Sequence, residues 1–546
     1  MANNAPANPI RDDDRDSWVP MIVIAMGQAL MSFNVAALPV SMGGMVESFN
    51  TPPTTVGTAI VMYSLGVSGF IMLGAKLGQR FGSKIFFQAA TSLFLIALVT
   101  MVLSPTAEVM LAAQGLAGLS GAALVPTLVV LIADHYRGKQ QAEAVGWLGS
   151  ARAIAGVLAF VLVGFLAMIN WRLAFGLLIV HAAALLVLSR KLKPSVPKPE
   201  VKIDVFGVIL SAAALMLVIF GFNNLRNWGV LLARPAAPFD LLGVSPAPIM
   251  IVFGLIIGTA FFVWTRRQGT NGKTPLLALE VVQSPREWAA VLALFIIVSM
   301  EGAINFSVPL YIQIVQGRSS MATSIAMMPF MLTVFFTAIL IVRLYNRFSP
   351  RTIARLAFIL VAIGTAWLAF VVRNDWSTAP VIAGLITVGL GQGALVTLLF
   401  NVLVTAAPKE LAGDVGSLRG VTQNLAAAVG TAVVGALLVG LLSTMILSGA
   451  AENPVITAEL KDEVNLTNLN FLSDAQLKER LSETSATPEQ FEEALAINAA
   501  ARTRALKTGF LLLSGLALLA IFPCSWLPDY RPGDINRDRS SNKGKR

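Results

Sequence analysis

Apolar and polar positions are segregated along this chain, with apolar runs of about twenty residues separated by short polar stretches. About twenty residues is the length an α-helix needs to cross a hydrocarbon core. No water reaches the backbone there, so each run must satisfy its own N–H and C=O groups as a helix. The pattern predicts fourteen spans at roughly 19–40, 56–75, 84–103, 108–133, 144–168, 172–190, 204–224, 247–265, 288–312, 322–344, 352–372, 378–407, 418–447 and 506–527. The segment before them, MANNAPANPIRDDDRDSW, is polar and acidic. The run after it lacks a convincing small-residue cleavage site and reads as the first span. The expected fold class is all-α, a polytopic membrane protein.

Composition agrees and narrows the function classes. The 546 residues are 56% hydrophobic and only 13% charged, with a mean hydropathy of +0.73, where soluble domains carry about a quarter charged residues. The formal charge of +10 lies on bases scattered over short loops. No basic stripe with interleaved aromatics occurs, so membrane anchoring explains the excess and no nucleic-acid partner is expected. The single cysteine, Cys524, excludes an internal disulfide framework, and with two histidines, His135 and His181, nothing remains for a metal site. No cofactor is expected. No Ser/His/Asp, metal or nucleotide constellation supports an enzyme. The small-residue run Gly115, Gly118, Gly121, Ala122 lies inside a span with no GK[ST] after it, so it reads as close helix packing, not a phosphate loop.

An even span count puts both termini on one side. Arg80, Lys84, Arg137, Lys139, the cluster from Arg190 to Lys202, Arg266, Arg267, Lys273, Arg286, the group from Arg343 to Arg355 and the tail KGKR share that side. The opposite loops are poor in Lys and Arg, so both termini are expected in the cytoplasm. Between the last two spans, 448–503 is polar and mainly acidic. Ser473 with Gln476, and Thr487 with Gln490 after Pro488, read as helix-starting capping boxes. Two short external helices are expected there, packed through Leu472, Leu477, Leu481 and Phe491. The segment is either a solvated hairpin extending the last span or a docking surface for a periplasmic or membrane partner.

A weak repeat organises the chain. RFGSK (Arg80–Lys84) follows the second span and RFSPR (Arg347–Arg351) the tenth, corresponding places of two six-helix blocks. The expected plan is a tail over 1–18, an N-terminal six-helix bundle over 19–190, a linker over 191–203 and two inserted helices over 204–265. A C-terminal six-helix bundle follows over 266–527, with the external 448–503 segment inside it, and then a basic tail over 528–546.

GAKLGQRFGSK (Gly74–Lys84) resembles the cytoplasmic signature of the major facilitator superfamily, G-x-L-[AG]-D-R-x-G-R-[KR]. Its positions here are Gly74, Gly78, Gln79, Arg80, Gly82 and Lys84. The glycines allow a tight turn and close helix approach, and the bases engage helix C-termini and neighbouring acids. KIDVFGVIL (Lys202–Leu210), VPLYIQIVQGRSSMATSIAMMP (Val308–Pro329), GVTQNLAAAVGTAVVGALL (Gly420–Leu438) and NWRLAF (Asn170–Phe175) are similar to the fourteen-span EmrB/QacA-type branch. The resemblance implies a major facilitator fold of two six-helix bundles plus two inserted helices. It also implies multidrug or amphipathic-solute efflux, with proton antiport, in the bacterial inner membrane.

The departures matter. Against the branch's L-D-x-T-I-V-N-V-A-L-P, the first span reads ALMSFNVAALP and places Leu30 at the acid. The fourth span has Gln114 at the usual arginine and Ala117 at the usual glutamine. Gln79 stands at the signature aspartate and Gln423 at the usual arginine of span 13, and Leu158–Gly164 keeps only a glycine of the antiport element of span 5. Losing acid and arginine together avoids an orphaned charge, but leucine cannot titrate, so the branch's ordinary proton-coupling residues are absent.

Ionisable groups inside spans are functional candidates. Glu301 lies near the middle of span 9, with Asn305 one turn along the same face. It is either a proton-exchanging group or a protonated glutamate bonded to a neighbouring helix. Arg152, two turns into span 5, either snorkels to the interface or lines a cavity as an anion contact or a partner of Glu301. Asn34, Gln28 and Gln114 read as cavity-lining hydrogen-bond partners or as interhelical glue. Asp134, Arg343 and Arg419 read as interface residues at helix ends. The many Met and Phe residues either shape an adaptable cavity or face lipid and core.

The sequence points to a transporter of an amphipathic, drug-like or lipidic solute by alternating access, with spans 1, 4, 5 and 9 around the site. Its partners are the lipid bilayer and the small substrate. The alternative is a non-transporting scaffold that binds a partner through 448–503.

Overall fold

The computed structural model describes residues 17–529 apart from 137, 196, 198, 235–236, 274, 283, 345–346, 374–377, 407–411, 457–473 and 483–485. The N-terminal helices are α1 (Val19–Val40), α2 (Met42–Phe49), α3 (Pro53–Phe81), α4 (Ser83–Val102), α5 (Ala107–His135), α6 (Gly138–Ile169) and α7 (Trp171–Ser189). Then come α8 (Val205–Trp228) and α9 (Pro246–Thr270). The rest are α10 (Pro285–Pro309), α11 (Ser320–Leu344), α12 (Pro350–Val371), α13 (Thr378–Ala406), α14 (Ala412–Glu452), α15 (Asp474–Ser482), α16 (Pro488–Leu519) and α17 (Ile521–Cys524). Every expected span corresponds to a helix, and only the short α2 was not anticipated. Thirteen are long and apolar enough to cross a bilayer over their described residues, and α6 adds the shorter apolar stretch Ile154–Ile169.

Local chemistry explains where several helices begin. A hydroxyl followed by proline starts α9 (Ser245, Pro246), α10 (Ser284, Pro285), α12 (Ser349, Pro350) and α16 (Thr487, Pro488). The hydroxyl accepts from a first-turn N–H, and proline sits where no N–H partner is needed. Ser284 and Thr487 form full capping boxes with Glu287 and Gln490. The Thr487 box does not begin a separate external helix, however. It starts α16, which runs unbroken into the last span: no proline follows Pro488 before Leu519, and its two glycines, Gly509 and Gly515, lie inside the helix without ending it. The 448–503 segment is thus partly an extension of the spans on both sides, α14 reaching Glu452, with Ala450 and Ile456 packed against Ala494 and Ile497. Ser473 and Leu472, and most of the two tails, lie outside the described residues.

The two RF turns do equivalent jobs. Lys84 Nζ donates to the carbonyls of Arg190 (2.9 Å) and Leu192 (2.5 Å), just beyond α7. Arg351 donates to the carbonyl of Leu527 from Nε (3.2 Å) and Nη2 (3.1 Å), just beyond α17. Each base therefore ties the third helix of its own block to the C-terminal end of the last, where the helix dipole is negative. Of the other signature positions, Gly74 and Gly78 are buried, Gln79 and Arg80 are exposed, and Gly82 turns the chain with φ 89°. Ser83 Oγ donates to Asp134 (2.5 Å).

The inserted pair lies to one side. α8 packs on α3 and α14 through Val61, Ile219, Ala428 and Ala432. Asp204 caps α8 and accepts from the Trp264 indole at 3.0–3.1 Å, fastening the start of α8 to the end of α9. Large apolar side chains face outward all round, among them Phe165, Val180, Phe253, Phe370 and Leu519, as a lipid-embedded bundle requires.

Close approach of backbones holds the first block together. A Cβ at Gly118 on α5 would lie 2.2 Å from the Tyr63 carbonyl oxygen on α3, whereas one at Gly115 would meet nothing within 4 Å. Gly118→Ala is therefore expected to force α3 and α5 apart, costing about 1–3 kcal/mol, and to lower the thermal midpoint of purified protein. Gly115→Ala should leave the midpoint unchanged or raised. Equal midpoints for the two variants would contradict this packing.

Candidate functional site

Polar groups from both blocks converge beside α14. Arg152 on α6 extends away from its own bundle and donates from Nη1 to Gln423 Oε1 on α14 at 3.5 Å. It lies within electrostatic reach of Glu301 on α10, Tyr63 on α3 and Arg419 on α14. The Gln392 side chain on α13 faces the Glu301 carboxyl. Arg419 sits one turn before Gln423 on the same face of α14, its guanidinium 3.9 Å over the Phe400 ring. Among the described residues, Asn305 Oδ1, Gln392 Oε1 and Arg419 Nε are enclosed without a hydrogen-bond partner.

Three of the seven expected cavity residues, Glu301, Arg152 and Gln423, are brought together here, with Asn305 one turn from Glu301 on α10. The others are occupied elsewhere. Asn34 and Gln114 are buried and bonded to each other, Asn34 Nδ2 to Gln114 Oε1 at 3.0 Å and Gln114 Nε2 to Asn34 Oδ1 at 3.5 Å. Gln28 donates to Ser32 on its own helix at 3.1 Å. Spans 1 and 4 thus use their amides to join α1 to α5, and the cluster draws on α6, α10, α13 and α14.

Sequence reasoning missed three residues. Arg419 lies at a helix end if span 13 starts at 418, but α14 begins at Ala412 and puts Arg419 two turns inside. Gln392 had a signal, a lone amide in the apolar run GLGQGALV. Gln313 had one too, within VPLYIQIVQG.

Gln313 joins the blocks at the end where α1 stops. Proline at 309 is followed by a π-helical turn, Leu310–Val315, that carries Gln313. The gap between α1 and α2 leaves the Pro39 carbonyl and the Gly43 N–H, an i and i+4 pair, without each other. Gln313 fills both: Oε1 accepts from Gly43 N at 2.6 Å and Nε2 donates to the Pro39 oxygen at 3.0 Å. Nε2 also donates to Thr323 Oγ1 at 2.9 Å. A side chain at 43 would block this, since its Cβ would lie 2.9 Å from Gln313 Oε1. One carboxamide from the second block thus completes a helical bond of the first.

Two blocks of membrane-spanning helices meeting at a shared polar cluster define a polytopic membrane transporter, not an enzyme. A sequence profile described as Major Facilitator Superfamily matches residues 24–431. The chain belongs to the Major Facilitator Superfamily. It is 23% identical over 423 residues to the multidrug efflux pump LfrA of Mycolicibacterium smegmatis, covering 77% of this chain and 80% of LfrA. It is 24% identical over 451 residues to the multidrug resistance protein Stp of Mycobacterium tuberculosis, covering 81% of this chain and 80% of Stp. In fold it resembles the inward-facing crystal structure of a bacterial homolog of the human lysosomal transporter Spinster, with a TM-score of 0.60. That likeness, at 14% identity, covers 92% of this chain and 96% of the other.

Gln313→Leu would leave the Gly43 N–H without its acceptor and take the Gln313 amide from the Pro39 carbonyl, at about 1–3 kcal/mol for a group left unsatisfied and buried. The variant is expected to lower the thermal midpoint. It should also speed the reaction of a cysteine at Thr58, which is half-buried on α3 and lines a cavity with Phe306 and Thr431 of the second block, in a Cys524→Ser background, with an impermeant thiol reagent added on that side. An unaltered labelling rate would show that Gln313 does not hold this end shut.

Proposed function

We propose that the protein exports an amphipathic organic solute across the bacterial inner membrane by alternating access. The N-terminal bundle (19–190) and the C-terminal bundle (266–527) rock about the Arg152–Glu301–Gln423 cluster. The observation that carries this reading is that the cluster is shared: Arg152 comes from one bundle, and Glu301, Gln392 and Gln423 from the other. Any relative rotation of the bundles changes those contacts, so the site and the conformational change are one event. Relatives named as efflux and resistance proteins support export. The Lys/Arg asymmetry supports cytoplasmic termini, which makes the Gln313 end external.

Coupling does not run through spans 1 and 4. Leu30 cannot exchange a proton, and Gln114 is committed to Asn34. Glu301 is the acid of the shared cluster, and opening to one side would change its hydration and its proton exchange. Glu301→Gln keeps size and hydrogen bonding and removes the proton. In inverted vesicles loaded with a panel of amphipathic fluorescent dyes, wild type should accumulate at least one dye when a pH gradient is imposed. Glu301→Gln should lose that accumulation at least tenfold while still catalysing gradient-free exchange of the same dye. Full gradient-driven accumulation by the variant would make Glu301 a packing residue, and neither accumulation nor exchange by wild type would contradict transport itself.

A further inference from the structure

We propose that the substrate of the central cluster is an anionic amphiphile, its acidic group received by Arg419 and Arg152 and its apolar body lying against α1 and α6. The proposal rests on the cluster being the substrate site.

Among the described residues, two cations face one acid at this site: Arg152 and Arg419 lie within electrostatic reach of each other, and Glu301 is the carboxylate that Arg152 meets. A cationic ligand would meet a surplus of like charge, and an anionic one a surplus of opposite charge. Arg419 is the stronger half of the argument. Its flat face is supported by Phe400, which offers a favourable cation–π contact but no acceptor for the guanidinium edge. Its Nε, fully enclosed, has no hydrogen-bond partner among the described residues. Gln423, one turn away and the nearest amide on that face, accepts from Arg152. A guanidinium whose Nε–H has no acceptor can donate it to an oxygen of a carboxylate, sulfonate or phosphate. Such an arginine at membrane depth is costly unless something supplies that acceptor.

The place for the apolar body is adjacent. Ala151 and Ala155, flanking Arg152 on α6, line a groove of about 670 Å³ between α1 and α6. Its other walls include Trp18, Ile22, Trp147 and Leu158, with no charged side chain among the described lining residues. A molecule with one acidic end and a hydrocarbon or aromatic body fits both features at once.

A matched pair of probes isolates the charge: 11-(dansylamino)undecanoic acid and 11-(dansylamino)undecylamine share one body and differ in the sign of the end group. Binding is measured by fluorescence titration of the full chain in phosphatidylcholine nanodiscs, with empty nanodiscs subtracted. The acid should bind at least tenfold more tightly than the amine. Arg419→Gln should weaken the acid about tenfold and leave the amine within twofold, and Arg419→Lys should restore part of the loss. Arg152→Gln provides a second variant with the same expected direction should Arg419→Gln prove unstable. Equal affinity for the two probes, tighter binding of the amine, or indifference of the acid to both substitutions would overturn the proposal. The same probes in inverted vesicles separate it from the functional reading. Transport of the amine alone would leave a transporter with the wrong substrate charge, whereas selective binding of the acid with no transport of either would contradict only the transporter.

Discussion

In hydrocarbon, a polar atom that has left water must be matched inside the protein, because each unmatched donor or acceptor costs several times the net worth of a hydrogen bond. The backbone meets this constraint by being helical almost throughout the described spans. The side chains meet it locally in the first block, where the amides of Asn34 and Gln114 close on each other and Lys84 closes on two carbonyls past α7. In the second block Arg351 does the same past α17. Around Glu301 the matching is less complete. Asn305 Oδ1, Gln392 Oε1 and Arg419 Nε are buried without partners among the described residues, as are several hydroxyls elsewhere in the bundle, those of Ser41 and Ser68 among them. A transporter needs unmatched polarity around its site, because its substrate must be worth binding in a place that lipid cannot fill.

The same constraint makes the blocks rigid and their contact adjustable. Within a block, helix backbones touch at glycines such as Gly118, so little can slide. Between blocks, where α3 packs on α14 and α6 on α11, the hydrogen bonds among the described residues are made by side-chain termini: Gln313 into the α1–α2 gap, and Arg152 onto Gln423. Bonds of that kind can be exchanged for others without rebuilding a core, which is what two alternative arrangements of rigid bodies require. Of the inserted pair, α8 packs over α3 and α14 and α9 packs on α8, and among the described residues neither contributes to the Arg152–Glu301 cluster.

The fold was legible because the bilayer imposes a length and an apolarity that sequence shows directly, and hydroxyl–proline pairs mark several helix starts. Ends were harder. Polar first turns such as Ala412–Ser417 look like loop in sequence, yet they open α14 and put Arg419 two turns inside it. Thr487 marked a true helix start, but nothing in that signal says how far the helix runs. At the site, Glu301 and Arg152 were visible because charges in spans are rare. Which amides join them was not visible, since an Asn or Gln in a span reads the same whether it meets a neighbour, as Asn34 does, or a cavity. Gln313 depends on a gap in a helix some 270 positions away in sequence, and a linear pattern does not show such a pairing.

The central claim is that two rigid blocks exchange contacts about the Arg152–Glu301 cluster. Paired spin labels at exposed ends of α4 and α12, the third helices of the two blocks, test it most directly. In a Cys524→Ser background, one pair would be placed at Leu103 and Phe370 and the other at Ile85 and Leu356, all of them exposed in this structure. Distances would be read with and without a transported amphiphile. The Leu103–Phe370 distance, at the Gln313 end, should lengthen as the Ile85–Leu356 distance shortens. Two distances that both stay fixed while transport proceeds would contradict the rocking of the blocks.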